Sequence, residues 1–178
     1  MVVEIVYETH ALTEDNERGI ATGWLPGRLS ARGRDLAAAM GRRRLHDRIA
    51  AVFASDLRRS VETAEIAFGG TDIPILYDWR LRECDFGARN GTPAAGLRMD
   101  QWRFLDVPYP GGESHRQAVH RVAGLLGDLP SRWDGRRVML IGHAVTQRAL
   151  EHVINGVPLE DLLTGFTWRP EGWEYRLG

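Results

Sequence analysis

The chain is 178 residues long, 43% hydrophobic and 26% charged, with a formal net charge of −1 at pH 7. That length suits one domain burying roughly 70% of the surface its unfolded chain would expose, and the near-zero charge gives no handle for nucleic acid or a membrane surface. The 23 basic residues are all arginine and the single cysteine is Cys84, which excludes a Schiff-base or P-loop lysine, an intramolecular disulfide and a multi-cysteine metal site.

Val2 to Tyr7 is a mostly β-branched and apolar run that passes through Glu8 and Thr9 to His10, where polar loop chemistry begins. A buried strand that delivers one functional side chain at its carboxyl end reads this way, and ligands of open α/β sheets bind at that end. Thr13 to Arg28, with Gly19, Gly23, Pro26 and Gly27, reads as a long polar loop. Ser30 is an N-cap signal for a helix through Leu36, Ala37 and Met40 toward Arg44. Ile49 to Phe53 is a short buried strand. Ser55-Asp56 is a second cap signal, before a helix with Leu57, Val61, Ala64 and Phe68 at helical spacing.

Ile73 to Leu76 reads as extended, and the charged stretch Leu81 to Gly87 as a loop at the mouth of the sheet. Pro93 to Phe104 holds a short helix, Pro108 to Gly112 is a break, and Glu113 to Leu129 has the apolar spacing of a long helix. Val138 to Ile141 is a second apolar strand, running through Gly142 into His143. A helix from Thr146 to Ile154 follows, closed by Asn155-Gly156. Phe166 to Trp168 and Trp173 to Leu177 predict a terminal antiparallel hairpin around Pro170-Glu171-Gly172. Alternating strands and helices predict one domain over residues 1–178: a three-layer α/β/α sandwich whose central sheet is mostly parallel with an antiparallel edge. No basic segment after Met1 precedes a long apolar run, and no run of about eighteen apolar residues occurs. The expectation is a soluble, cytoplasmic protein.

Two apolar strands each ending in a histidine, with Arg59 at a helix start beyond another strand, form a constellation. Either histidine alone is more commonly a hydrogen-bonded rim residue; together with Arg59 they point to function. In order and spacing the chain resembles the histidine phosphatase superfamily, the group that includes cofactor-dependent phosphoglycerate mutases. The resemblance rests on His10 with Thr13 and Asn16, Gly23-Trp24-Leu25 with Leu29-Ser30 and Gly33, and Ser55-Asp56-Leu57-Arg58-Arg59 with Thr63-Ala64. It continues through Leu81-Arg82-Glu83 with Gly87, Gly111-Gly112-Glu113-Ser114 and Gly142-His143.

The resemblance implies a metal-independent phosphohydrolase without a cofactor, acting on a small phosphorylated molecule. His10 would be the nucleophile, Arg59 and His143 the phosphate ligands and Glu83 the proton donor, with Asn16 and Gly23 beside the phosphate. These types suit the chemistry: phosphoryl transfer needs cations and N–H donors on the equatorial oxygens, a neutral histidine to attack, and an acid for the leaving alkoxide. The bland readings are loop or cap roles for Asn16 and Ser55, simple pairing of Glu83 with Arg82, and packing roles for the tryptophans. His46, His115, His120 and His152 are expected at the surface, with His115, beside Glu113-Ser114, the candidate exception.

One departure stands out. The family pattern at the nucleophile is an apolar residue, arginine, histidine and glycine, and here it is Glu8, Thr9, His10 and Ala11. Loss of one charged hydrogen-bond donor weakens phosphate or transition-state binding by about one to two powers of ten. Three explanations compete: an arginine from elsewhere, Arg18 or Arg82, fills the gap and pairs with Glu8; the enzyme is a slow or narrow phosphatase; or the fold has been turned to another use. Glu113 is a further candidate at the rim. Behind a phosphatase rank a different reaction in the same cleft with Glu8 and Glu83 as acid–base groups, and a catalytically silent binding domain. A mutase ranks lower still, because the stretch from Gly87 to Gly111 leaves little chain for segments that close over the site. A homodimer is compatible with the sequence.

Overall fold

The computed structural model describes residues 2–164 and 167–178. Its centre is a five-stranded sheet of β1 (Val3–Thr9), β3 (Ile49–Ala54), β4 (Ile75–Tyr77), β6 (Arg137–Gly142) and β7 (Trp173–Leu177), in the order β4-β3-β6-β1-β7. The first four run parallel, and β7 pairs antiparallel with β1 at the edge. The sheet therefore matches the expected mostly parallel architecture. The predicted hairpin does not form as drawn. Thr167 and Trp168 are not in a strand and Phe166 lies outside the described residues; β7 takes its partner from β1 instead.

Alternation along β1 sends its side chains to two cores. Val3, Ile5 and Tyr7 pack with Val138 and Leu140 against α5 (His115–Trp133) and α6 (Ala144–Asn155). Val6 packs with Val52, Met139 and Ile141 against Met40 of α2 (Ala31–Arg44) and Phe68 of α3 (Arg58–Phe68). Period-two alternation thus fixes which helical layer each strand residue meets, and Glu8 falls on the α2 side with Val6.

The polar segment after His10 is more ordered than its composition suggests. Thr13 caps α1 (Glu14–Glu17), and β2 (Ile20–Ala21) pairs with β5 (Thr92–Pro93). Short polar side chains bonding local backbone account for this. Ser30 caps α2 as expected, its hydroxyl accepting from Gly33 N at 3.1 Å. Gly33 is required there: a Cβ would lie 1.8 Å from the Leu12 carbonyl oxygen, so α2 is held directly against the loop that follows His10. Leu57, not Ser55-Asp56, is the N-cap of α3, and Ser55 Oγ accepts from Leu57 N at 3.2 Å. The segment Pro93–Phe104 holds α4 (Ala94–Asp100), as expected. Ser114 caps α5, which runs on through Pro130 to Trp133, where the indole meets Phe53 edge-on.

Candidate active site

Strands β1 and β6 are neighbours in register, Thr9 opposite Gly142, so both release their next residue at the same place on the carboxyl edge of the sheet. His10 N donates to Gly142 O at 2.9 Å, and the rings of His10 and His143 lie 5.0 Å apart. Strand β3 ends beside them and turns into α3, whose first turn presents Arg59. Arg59 Nε donates to His10 Nε2 and its Nη2 to His143 Nδ1, each at 3.3 Å. The guanidinium is buried and held from behind, because Nη2 also donates to Gly23 O at 2.8 Å and Nη1 to Leu25 O at 3.3 Å. Gly23 has φ +57, and a Cβ there would meet Asn90 Oδ1 at 1.8 Å, so the carbonyl that anchors Arg59 depends on a glycine.

The tautomers follow from the partners. His10 Nδ1 sits 2.7 Å from the Ala11 carbonyl, which can only accept, so Nδ1 carries the proton and Nε2 keeps its lone pair toward Arg59. Burial, reinforced by the Arg59 charge, holds the His10 pKa down to about 3. Burial, with Arg59 and then His10, also pushes His143 well below its ordinary value. Arg59 is itself lowered by burial, to about 10, against the opposing pull of Glu83 and Asp15. The group is therefore a neutral imidazole with an unprotonated Nε2 beside a buried cation, an arrangement that is chemically able to attack an electrophile bearing negative oxygens.

A cavity of about 490 Å³ opens at this point; His10, His143, Glu83, Asn16, Glu8 and Thr9 all contribute to its wall. Glu83 Oε1 accepts from the adjacent Cys84 N at 2.8 Å. Its carbonyl accepts from Trp24 Nε1 and Arg121 Nη2, both at 2.7 Å. Asn16 fills both readings: Oδ1 accepts from Thr13 N in a capping box, while the residue lines the cavity.

Three expected site residues lie elsewhere. Arg18 is exposed and paired with Asp15. Arg82 makes a two-pronged contact with Asp56 at 2.7 and 2.6 Å and stacks 4.6 Å over the Trp24 ring. Neither reaches Glu8. That carboxylate is buried and paired on the α2 side, with Arg43 at 2.6 Å and Arg44 at 2.7 Å. Its charge is matched there by two guanidiniums, while the residue also contributes to the cavity wall. Glu113 does not line the cavity; it bonds Arg121 and Asp85 N. Arg121 in turn gathers the carbonyls of Arg80, Arg82 and Glu83, so Glu113 supports the loop that carries Glu83 rather than touching a ligand.

His115 is fully buried, with Tyr109 OH 3.2 Å from its Nε2. Its spacing ahead of Val119 and Val122 on the apolar face of α5 was the signal for that. The wall residues with no motif signal are Arg32, Leu36, Met40 and Arg43 of α2 together with Trp168. Among the described residues no group of three or more histidine, cysteine, aspartate or glutamate side chains could hold a metal ion, and no helix is long and apolar enough to cross a membrane.

Comparison with known proteins agrees with this geometry. Residues 9–170 match the model of the histidine phosphatase superfamily (branch 1). A 2,3-bisphosphoglycerate-dependent phosphoglycerate mutase from Methylobacterium sp. (strain 4-46) is 33% identical, over 97% of this chain and 90% of the relative. The solved structure of Bacillus stearothermophilus YhfR superposes with a TM-score of 0.84 at 26% identity, covering 94% of this chain and 88% of that one. A mycobacterial glucosyl-3-phosphoglycerate phosphatase superposes with a TM-score of 0.80 at 24% identity, over 98% and 91% of the two chains, and shares the fold.

Proposed function

The chain belongs to the histidine phosphatase superfamily, and from that footing we propose that it is a phosphomonoester hydrolase working through a phosphohistidine at His10. The observation that carries this reading is the unprotonated Nε2 of His10, whose lone pair accepts from Arg59, beside His143 in the cavity wall. The substrate phosphate takes the Arg59 donors that now rest on the two histidines. His143, relieved of its Arg59 hydrogen bond and facing a dianion, takes up a solvent proton at Nδ1, keeps it through the reaction as a hydrogen-bond donor to a phosphate oxygen, and releases it to solvent when phosphate leaves.

His10 Nε2 then attacks phosphorus. The N–P bond forms, the ester P–O bond breaks, and the Glu83 carboxyl gives its proton to the departing oxygen. In the second half, water attacks phosphorus and returns a proton to Glu83, and the N–P bond breaks to free inorganic phosphate and the starting imidazole. Hydrolysis rather than internal transfer is supported by the exposed rim. Asn16 and Arg32 are open to solvent, and Trp168 keeps 53% of its surface exposed, so water reaches the intermediate. The test is rapid quenching with a labelled phosphoester: wild type should carry acid-labile, base-stable label and release phosphate, and His10→Ala should do neither. Equal labelling of the two proteins would refute the assignment.

A further inference from the structure

The cavity is much larger than a phosphate, and one of its walls is a single helix face. Arg32, Leu36, Met40 and Arg43 follow one another at intervals of four, four and three residues along α2, and all four line it. Trp168 and Pro170 stand among the residues lining the rest. The two arginines differ in state. Arg43 is neutralised by Glu8 at 2.6 Å. Arg32 has no hydrogen-bond or ion-pair partner among the described residues and is exposed. It also sits in the first turn of α2, where the helix dipole opposes a cation and no acidic residue of that turn offsets it. A cation that its own helix disfavours, and that pairs with nothing in the described chain, is free to meet a ligand.

We propose that the preferred substrates are phosphomonoesters whose leaving group has an apolar body and a second anionic group, the body lying along Leu36, Met40 and Trp168 and the second anion on Arg32. This rests on the phosphatase reading above but concerns a different part of the cavity from the phosphate cluster of His10, Arg59 and His143. Those three groups serve one phosphate. Arg32 lies on another element and serves what is attached to it.

The test compares benzyl phosphate with its 3- and 4-carboxy derivatives, in which the methylene insulates the leaving oxygen from the added charge. Wild type should favour at least one carboxylated ester, and Arg32→Gln should lower that preference in kcat/KM by about tenfold, the scale of one charged hydrogen bond at an accessible site. Arg32→Lys should restore part of it. An equal fall on neutral and carboxylated esters would place Arg32 on the transferring phosphoryl group and overturn the proposal; so would an unchanged ratio. The matching benzylphosphonates, measured by titration calorimetry, separate this inference from the catalytic one. If no ester is hydrolysed but the carboxylated phosphonate binds more tightly in an Arg32-dependent manner, the hydrolase reading fails and the subsite stands. If all esters are hydrolysed and neither readout depends on Arg32, the subsite fails and the hydrolase stands.

Discussion

Glu8 and Arg44 meet in a buried ion pair, Oε1 to Nε at 2.7 Å, joining the strand that leads into His10 to the last turn of α2. Arg44 also bonds Asp47 at 2.9 Å and the Glu171 carbonyl. Glu8→Val should therefore destabilise the fold by about 3 kcal/mol, the low end for breaking a buried pair, because Asp47 remains. Urea unfolding measures this, and a loss below about 0.5 kcal/mol would show that the pair contributes little. Replacing both partners with leucine should recover much of the loss, since the desolvation cost disappears with the charges.

Thr9 lines the cavity one residue before His10, the nucleophile we propose. Thr9→Arg should raise kcat/KM for simple phosphoesters and tighten inhibition by vanadate, each by about three- to tenfold, through a planar two-pronged contact with phosphate. Removing Glu8 at the same time, attractive on charge grounds from sequence alone, should spoil the gain, because that carboxylate is already committed to Arg43 and Arg44. Unchanged activity and inhibition in Thr9→Arg would mean that position 9 does not face the transferring group.

Glu83→Gln keeps the acceptor for Cys84 N but cannot give up a proton at neutral pH. Esters with alkoxide leaving groups should slow by about a hundredfold and p-nitrophenyl phosphate by much less, since its phenolate leaves with little help. Equal losses on the two classes would make Glu83 a scaffold residue.

Stability should fall with acid before the carboxylates titrate. His10 and His115 are both held down to about 3, His115 by burial and then by Arg148, while in the unfolded chain they return to 6.5. Each depressed histidine contributes stability that is fully present above pH 6.5 and is lost as the pH falls toward 3, because the unfolded chain binds the proton first. Between pH 6 and 4.5 each contributes a slope of about 1.4 kcal/mol per pH unit. His115→Gln should remove one such increment, and denaturant midpoints at several pH values would show it. An unaltered slope would mean that His115 is not neutral by virtue of its burial.

The parts of the fold that could be read from sequence are those where local pattern and tertiary demand coincide. The strands ending at His10 and His143, the Ser30 cap and the α3 stripe behind Arg59 all carry their own periodicity. The partners of Glu8 do not. Arg43 and Arg44 lie 35 and 36 positions away, and only the packing of α2 against the α2-facing side of β1 sets which arginines arrive. The same holds for Glu113, whose Arg121 partner is two helical turns along α5. Arg32 was within reach, since it continues the Leu36–Met40 spacing backward by one turn, but a charge at the start of an apolar stripe reads by default as a solvated helix end. The terminal strand was placed correctly and given the wrong partner, because an edge strand of five residues fits a hairpin or a sheet edge equally well by pattern.

The Gly33–Leu12 contact makes the two jaws of the cavity unequal. On the α2 side the lining side chains spring from a helix whose backbone already abuts the loop after His10 at Gly33. Trp168 and Pro170, which also line the cavity, lie outside any helix or strand. Substitutions at Trp168 or Pro170 can therefore reshape the cavity without disturbing the Gly33–Leu12 contact. The cavity thus has a replaceable side and a fixed side, and His10, two residues before Leu12, stands on the fixed one.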